Sequence, residues 1–183
     1  MRIGVIGAMQ MEVDNLKAVM EDVTTETYSG VEFVSGKYAS KDVVVAKCGI
    51  GKVFAAICAE AMILKFEVDK IINIGVAGSL TKDLGVLDVA VANNVVQHDM
   101  DTSPLGDPVG LLSGINMVTL DADKDMNALL CDCLSDKGIK FKKGTIATGD
   151  QFVATKEQKD RITGMFDAIA AEMEGGSIGH VCY

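Results

Sequence analysis

Two carboxylates separated by one residue, Glu172-Met173-Glu174, close an otherwise apolar run, AIAA. Paired acids suit general acid–base chemistry and the stabilisation of a cationic transition state. On an extended backbone, residues two apart share one face, so both acids would project together from the carboxyl end of a strand. A helix N-terminus beginning at the same place accounts for them equally well. Glu12 lies one short loop beyond the first apolar run and, taken alone, is an ordinary first-turn helix carboxylate. Gly49-Ile50-Gly51-Lys52 resembles a phosphate loop but is too short for the Walker pattern, and Val53 stands where Ser or Thr would hold magnesium. Its glycines suit a sharp turn from strand to helix. His98-Asp99-Met100-Asp101 carries metal-ligand types, but the chain has only two His and no third ligand clustered there. That stretch reads as a polar loop, with no metal and no cofactor. No Ser/His/Asp or Cys/His set stands out.

The elements that must position these residues follow from hydrophobic periodicity. Strands are expected at 2–7, 69–74, 86–96, 139–148 and 167–173, with two or three antiparallel strands across 24–48. Helices are expected at 12–20, 51–65, 121–136 and 155–165, and a last one begins near Glu174. Residues 97–114 are polar, marked by Gly and Pro, and too long for a mere connector. Strands alternating with helices predict an α/β domain, a three-layer αβα sandwich around a mixed, largely parallel sheet. Ligands in such sheets bind at the carboxyl ends of strands, here after Gly7, Gly49, Ile74, Thr148 and Ala171.

Composition narrows the partners. The 183 residues are 49% hydrophobic, enough for a full core in one domain. The net charge of −9 and the lack of a dense Lys/Arg cluster argue against nucleic acid, Lys140 to Lys143 being a short solvated edge. No apolar run is long enough to span a membrane, and the N-terminal run is too short for a signal segment. Five Cys, an odd number scattered through apolar segments, fit reduced, buried thiols of a cytoplasmic protein.

Taken together, MRIGVIGAMQMEV, KCGIGKVFAA, IINIGVAGSL, TGDQF and AAEMEGGSIGHVC resemble, in order, the 5′-methylthioadenosine/S-adenosylhomocysteine nucleosidases of the purine nucleoside phosphorylase superfamily. The resemblance implies a nucleoside-phosphorylase-like fold and hydrolysis of a 5′-thio-substituted adenosine to adenine and the thioribose, as in methionine salvage. By similarity, Glu12 would orient and deprotonate the water, with Glu172 near it, and Glu174 would accept hydrogen bonds from the ribose hydroxyls above Met173. Phe152 matches the residue that stacks on adenine, and Val153 the one whose backbone reads the adenine edge. Met9, Ile50 and Leu105 match apolar positions around the 5′-alkylthio group. Leu105 would reach a neighbouring subunit's site, which implies a homodimer.

Two departures from the family pattern stand out. Val76 replaces a Ser found in many relatives, removing a hydrogen-bond donor near the water or phosphate position. Only two Arg are present, Arg2 and Arg161, and neither lies in a motif, so the cationic clamp of a phosphorylase has no candidate. The family pattern also continues past the helix ending at Tyr183 into a strand, a Ser-Asp loop and a helix. The Asp of that loop is the family's acid for adenine N7. The sequence is therefore expected to form a C-terminally incomplete domain of low turnover. A phosphorylase and a non-catalytic adenosine-binding remnant are the alternatives.

Overall fold

A computed structural model describes residues 1–183. The chain divides into two compact units, Met1–Val76 and Ala77–Val181. In the first, β1 (Arg2–Gly7) lies within a five-stranded sheet between β4 (Lys41–Lys47) and β5 (Lys70–Asn73), parallel to both. The antiparallel flank consists of β2 (Glu21–Tyr28), β3 (Val31–Tyr38) and β4. Two-residue turns join these strands at Ser29-Gly30 and Ala39-Ser40, all four residues having positive φ. Such turns match the right-handed twist of the strands they connect.

Helices α1 (Gln10–Lys17) and α2 (Lys52–Phe66) complete this unit. The interior of α2 presses on β1 closely enough that a Cβ on Gly4 would lie 2.7 Å from Met62 Sδ. Phe33 and Phe66 stack with ring centroids 4.9 Å apart, and Tyr28 meets Phe66 edge-on at 5.7 Å. The Arg2 guanidinium donates to the Phe66 carbonyl at 2.7 Å, tying the end of α2 to the start of β1. Cys58, in the same interior, has its thiol pushed up to about 12 by burial, with Cys48 nearby adding to the effect. Cys48 and Cys58 are buried as expected, whereas Cys131 is half-buried and Cys133 and Cys182 are exposed.

The second unit centres on three parallel strands, β7 (Val89–Gln97), β9 (Phe141–Thr148) and β10 (Ala168–Glu172). Short antiparallel strands close its two edges, β6 (Gly78–Ser79) beside β10 and β8 (Thr119–Asp121) beside β7. Helices α3 (Lys124–Asp136), α4 (Lys156–Phe166) and α5 (Gly175–Cys182) connect and follow the strands. Val96, Ala147, Ile162 and Ala168 form a core against which Val153 and Phe166 pack. Thr155 and Gln158 form a reciprocal capping box at the start of α4. Alternation of strand and helix gives the expected α/β class, with parallel and antiparallel ladders in each of two five-stranded sheets.

Several local expectations shift. The strand expected from residue 86 begins at Val89, because Gly85 and Asp88 close a turn: the Gly85 N–H donates to Asp88 Oδ2 and the Asp88 N–H to the Gly85 carbonyl. Val86 and Leu87 therefore sit exposed at its tip. The first helix spans Gln10–Lys17 rather than reaching Met20, and α3 starts late because Asp123 caps it, accepting from the Met126 N–H. Lys140 and Lys142 are not merely a solvated edge, since they pair with Asp88 and Asp83. These lysine contacts hold both aspartates below the usual carboxylate range. No helix is long and apolar enough to cross a membrane.

Phe33→Ala should cost about 3–5 kcal/mol in denaturant unfolding, because it empties the centre of the aromatic cluster. Val86→Ser, at an exposed turn tip, should stay within about 0.5 kcal/mol of wild type. Equal effects of the two would contradict the assigned core.

Candidate active site

Glu12 is the third residue of α1, immediately after the carboxyl end of β1. Its carboxylate is gripped from two sides by backbone: Oε2 accepts from the Met9 N–H at 2.9 Å and Oε1 from the Val76 N–H at 3.1 Å. The Met9 contact is the acidic half of a capping box, which fixes the side chain relative to its own helix. The Val76 contact fixes it relative to the segment after β5. Two glycines make room: a Cβ on Gly75 would lie 2.8 Å from Glu12 Oε1, and one on Gly7 would lie 3.0 Å from Glu12 Cβ. The apolar side chain at position 76 thus takes no part in holding Glu12; the backbone does that.

The Glu172-Met173-Glu174 corner resolves the two readings left open by its sequence. Strand β10 ends at Glu172 and the chain bends, so Glu174 becomes the N-cap residue of α5 rather than a second acid on an extended face. Glu174 does not cap with its own side chain. That work falls to Glu172, whose Oε2 accepts from the N–H groups of Glu174 at 2.9 Å and Gly175 at 2.6 Å. The Thr148 hydroxyl donates to Glu172 Oε1 and accepts from the Gly176 N–H at 2.6 Å. Burial, the largest influence, pushes the Glu172 carboxyl above its usual range, while the Thr148 hydroxyl and the two amides pull the other way without cancelling it.

The remaining sequence-derived residues occupy several environments. Phe152 is 83% exposed, while Val153 beside it packs into the core of its unit. Leu105, also 83% exposed, ends a short 3-10 turn, Ser103–Leu105, the one helical piece in the polar 97–114 stretch. Ile50 is exposed between Gly49 and Gly51, whose φ values of 95° and 103° turn β4 into α2. These glycines are therefore a strand-to-helix turn. Met9 is half-buried as the N-cap of α1, and Met173 is half-buried at the bend.

Sequence reasoning missed several parts. Thr148, fully buried, was noted only as a strand end. His98, taken for part of a polar loop, is 1% exposed. It packs so tightly on Gly149 that a Cβ there would lie 2.4 Å from its Nε2. Asp99 Oδ2 accepts from the Asp150 N–H at 2.8 Å, so His98 and Asp99 together brace the turn that leads to Phe152. No three His, Cys, Asp or Glu side chains gather in a group that could hold a metal ion. The second unit also carries an open groove of about 700 Å³ lined by Leu80, Lys82, Ala154, Lys156 and Thr163. None of the candidate residues lines it, and its walls offer no acid pair.

The Glu172 environment sets a sign for pH dependence. A carboxyl whose folded value is raised favours the folded state below its unfolded value, and that contribution is lost as pH rises through the folded value. Relative to Glu172→Gln, which keeps an acceptor for the two amides, wild type should therefore lose stability as pH rises from the ordinary carboxylate range toward neutrality. Parallel denaturant titrations of both proteins across pH 4 to 7 (roughly the range from the ordinary Glu value upward) measure it. A difference that grows in favour of wild type with rising pH would contradict the burial-dominated environment.

Comparison with known proteins bears on the family. A family model described as the phosphorylase superfamily matches residues 2–183. An aminodeoxyfutalosine nucleosidase from Helicobacter pylori is 38% identical over 182 residues, covering 99% of this chain and 78% of that protein. A 5′-methylthioadenosine/S-adenosylhomocysteine nucleosidase from Aeromonas salmonicida is 36% identical, covering 100% of this chain and 80% of that protein. Among solved structures, an S-adenosylhomocysteine nucleosidase from Streptococcus pyogenes, in complex with 5-methylthiotubericidin, superposes with a TM-score of 0.95 at 31% identity, covering 100% of this chain and 77% of that one. A Helicobacter pylori MTAN mutant with 5′-methylthioadenosine in the active site also gives 0.95, at 39% identity over 99% of this chain and 78% of that one. With its acids held at strand ends and its whole length matched, the chain belongs to the phosphorylase superfamily, on its nucleosidase branch.

Proposed function

We propose that the protein hydrolyses the N-glycosidic bond of 5′-methylthioadenosine and S-adenosylhomocysteine, releasing adenine and the thioribose. The observation that carries this reading is Glu174: an acid at a helix N-cap whose capping work is done by Glu172 and Thr148. A carboxylate kept out of the cap suits acceptance of hydrogen bonds from two ribose hydroxyls. Water attacks the anomeric carbon as the bond to adenine breaks, and the electron pair leaves with the purine, which takes up a proton from solvent while the proton of the attacking water goes to Glu12. Glu12, held by two backbone amides, orients that water and receives its proton. Glu172 contributes its negative charge to the cationic sugar and holds the corner, since both of its oxygens already bind protein donors.

Exposed Phe152 supplies a stacking face for adenine, and the backbone of Val153, anchored by its buried side chain, reads the adenine edge. Met9, Ile50, Met173 and Leu105 provide apolar surface for the sugar and its 5′-thio substituent. Water rather than phosphate is favoured as nucleophile because Arg2 is committed to the Phe66 carbonyl. Position 76, moreover, offers no hydroxyl to an anion. A homodimer fits the exposed Val53, Phe54, Ile57 and Leu64 of α2, apolar residues on a helix already apolar inside. Five free thiols suit a reducing cytoplasm.

A second reading concerns only the 5′ substituent. The Helicobacter pylori relative named for aminodeoxyfutalosine is about as similar to this chain as those named for the thio-nucleosides. Adenine release from all three substrates, assayed with and without phosphate, ranks them. Turnover of a thio-nucleoside in the absence of phosphate is expected, and a strict phosphate requirement would replace hydrolysis with phosphorolysis. Glu12→Gln should keep the dissociation constant for substrate while lowering turnover by about 10²-fold or more, because shape survives and the base does not. Unchanged turnover would remove Glu12 from the reaction.

A further inference from the structure

A helix start leaves several backbone N–H groups without helical partners, and the nearest carboxylate is the natural acceptor for them. At α5 that carboxylate is Glu174, the N-cap residue itself. The amides of Glu174, Gly175 and Gly176 instead bind Glu172 and Thr148, which come from the ends of β10 and β9. Thr148 uses its hydroxyl in both senses, donating its proton to Glu172 and accepting from Gly176. The fit is close: a Cβ on Gly176 would lie 2.8 Å from Thr148 Cβ and 2.9 Å from its Oγ1. Gln97, from the end of β7, adds a 3.3 Å bond from its amide nitrogen to the Gly176 carbonyl. Thr148 itself is fully buried, so it meets no ligand directly.

We infer that Thr148 is a positioning residue for sugar recognition, its hydroxyl bridging Glu172 and the Gly176 N–H and so fixing the corner from which Glu174 meets the ribose hydroxyls. The inference rests on the reading of Glu174 as the ribose acceptor. Without the hydroxyl, the Gly176 N–H loses its acceptor and Glu172 Oε1 its donor in a buried setting, where unpaired polar groups are costly. The corner that carries Glu174 then loses the bonds that fix it between the ends of β9 and β10, and the acid no longer meets the sugar from a fixed position.

The test is the preference for ribose hydroxyls, measured calorimetrically as the ratio of dissociation constants for 2′,3′-dideoxy-5′-methylthioadenosine and 5′-methylthioadenosine. Binding is read without reference to turnover. Thr148→Val, which keeps the shape and removes the hydroxyl, should lower that ratio by about tenfold or more, the loss expected when a charge-assisted hydrogen bond goes. Thr148→Ser, which restores the hydroxyl, should hold the ratio near wild type. A merely structural Thr148 would weaken both nucleosides alike and leave the ratio unchanged in the Val variant, which overturns the inference. Glu174→Ala separates the two readings. If it collapses the ratio while Thr148→Val does not, only the role of Thr148 fails. If it leaves the ratio intact, the ribose role of Glu174 fails and this inference with it. Should Thr148→Val not fold, Thr148→Ala, which also removes the hydroxyl, carries the same test, and a ratio as high as wild type overturns the inference.

Discussion

The first turn of α5 must satisfy its exposed backbone donors, and the way it does so organises the second unit. Two strand ends supply the acceptors, Glu172 from β10 and Thr148 from β9, and a third, Gln97 from β7, donates to the Gly176 carbonyl. Because those strands are parallel neighbours, their carboxyl ends lie side by side, and short side chains can reach one helix start. The parallel register is therefore more than a way of burying Val96, Ala147 and Ala168. It sets Glu172 and Thr148 at the one edge where α5 begins. Glycine at position 176 lets the helix start approach that edge, since a methyl group there would collide with Thr148.

The same principle operates at Glu12 in the first unit. There too a carboxylate is held by backbone N–H groups at strand ends, and there too glycines, 7 and 75, clear the space. Backbone donors are rigid and do not titrate, so they define a carboxylate's position at little entropic cost compared with a flexible lysine or arginine. Both anchors lie in a chain of net charge −9, whose ion pairs include exposed ones such as Lys140–Asp88 and Lys142–Asp83. Exposed pairs of that kind stabilise little. Packing and backbone hydrogen bonding hold the acids in place.

Much of the scaffold was legible because its strands are short apolar runs ended by glycine or polar residues. The runs at 2–7 and 167–173 are visible in that way, and the rule placing ligands at strand carboxyl ends singles out the segments after Gly7 and Ala171, where Glu12 and Glu172 stand. Periodicity failed where a turn is apolar: Val86 and Leu87 look like strand residues, yet Asp88 folds them into a turn through Gly85. Spacing also could not decide between a shared strand face and a helix start at Glu172 and Glu174, because the bend at Met173 depends on which amides find partners. Thr148 and His98 escaped notice for a related reason. A lone polar residue at a strand end carries no pattern, and its role emerges only when another strand's end is brought beside it.

The most direct measurement of whether the α5 cap is delegated so that Glu174 serves the sugar is a crystal structure with an unreactive 5′-methylthioadenosine analogue bound. Glu172 should still accept from the amides of residues 174 and 175, Thr148 should still bridge Glu172 and Gly176, and a Glu174 oxygen should lie about 2.5–3.0 Å from a ribose hydroxyl. A structure in which the Glu174 carboxylate caps α5 while the ribose hydroxyls bind other groups would contradict it.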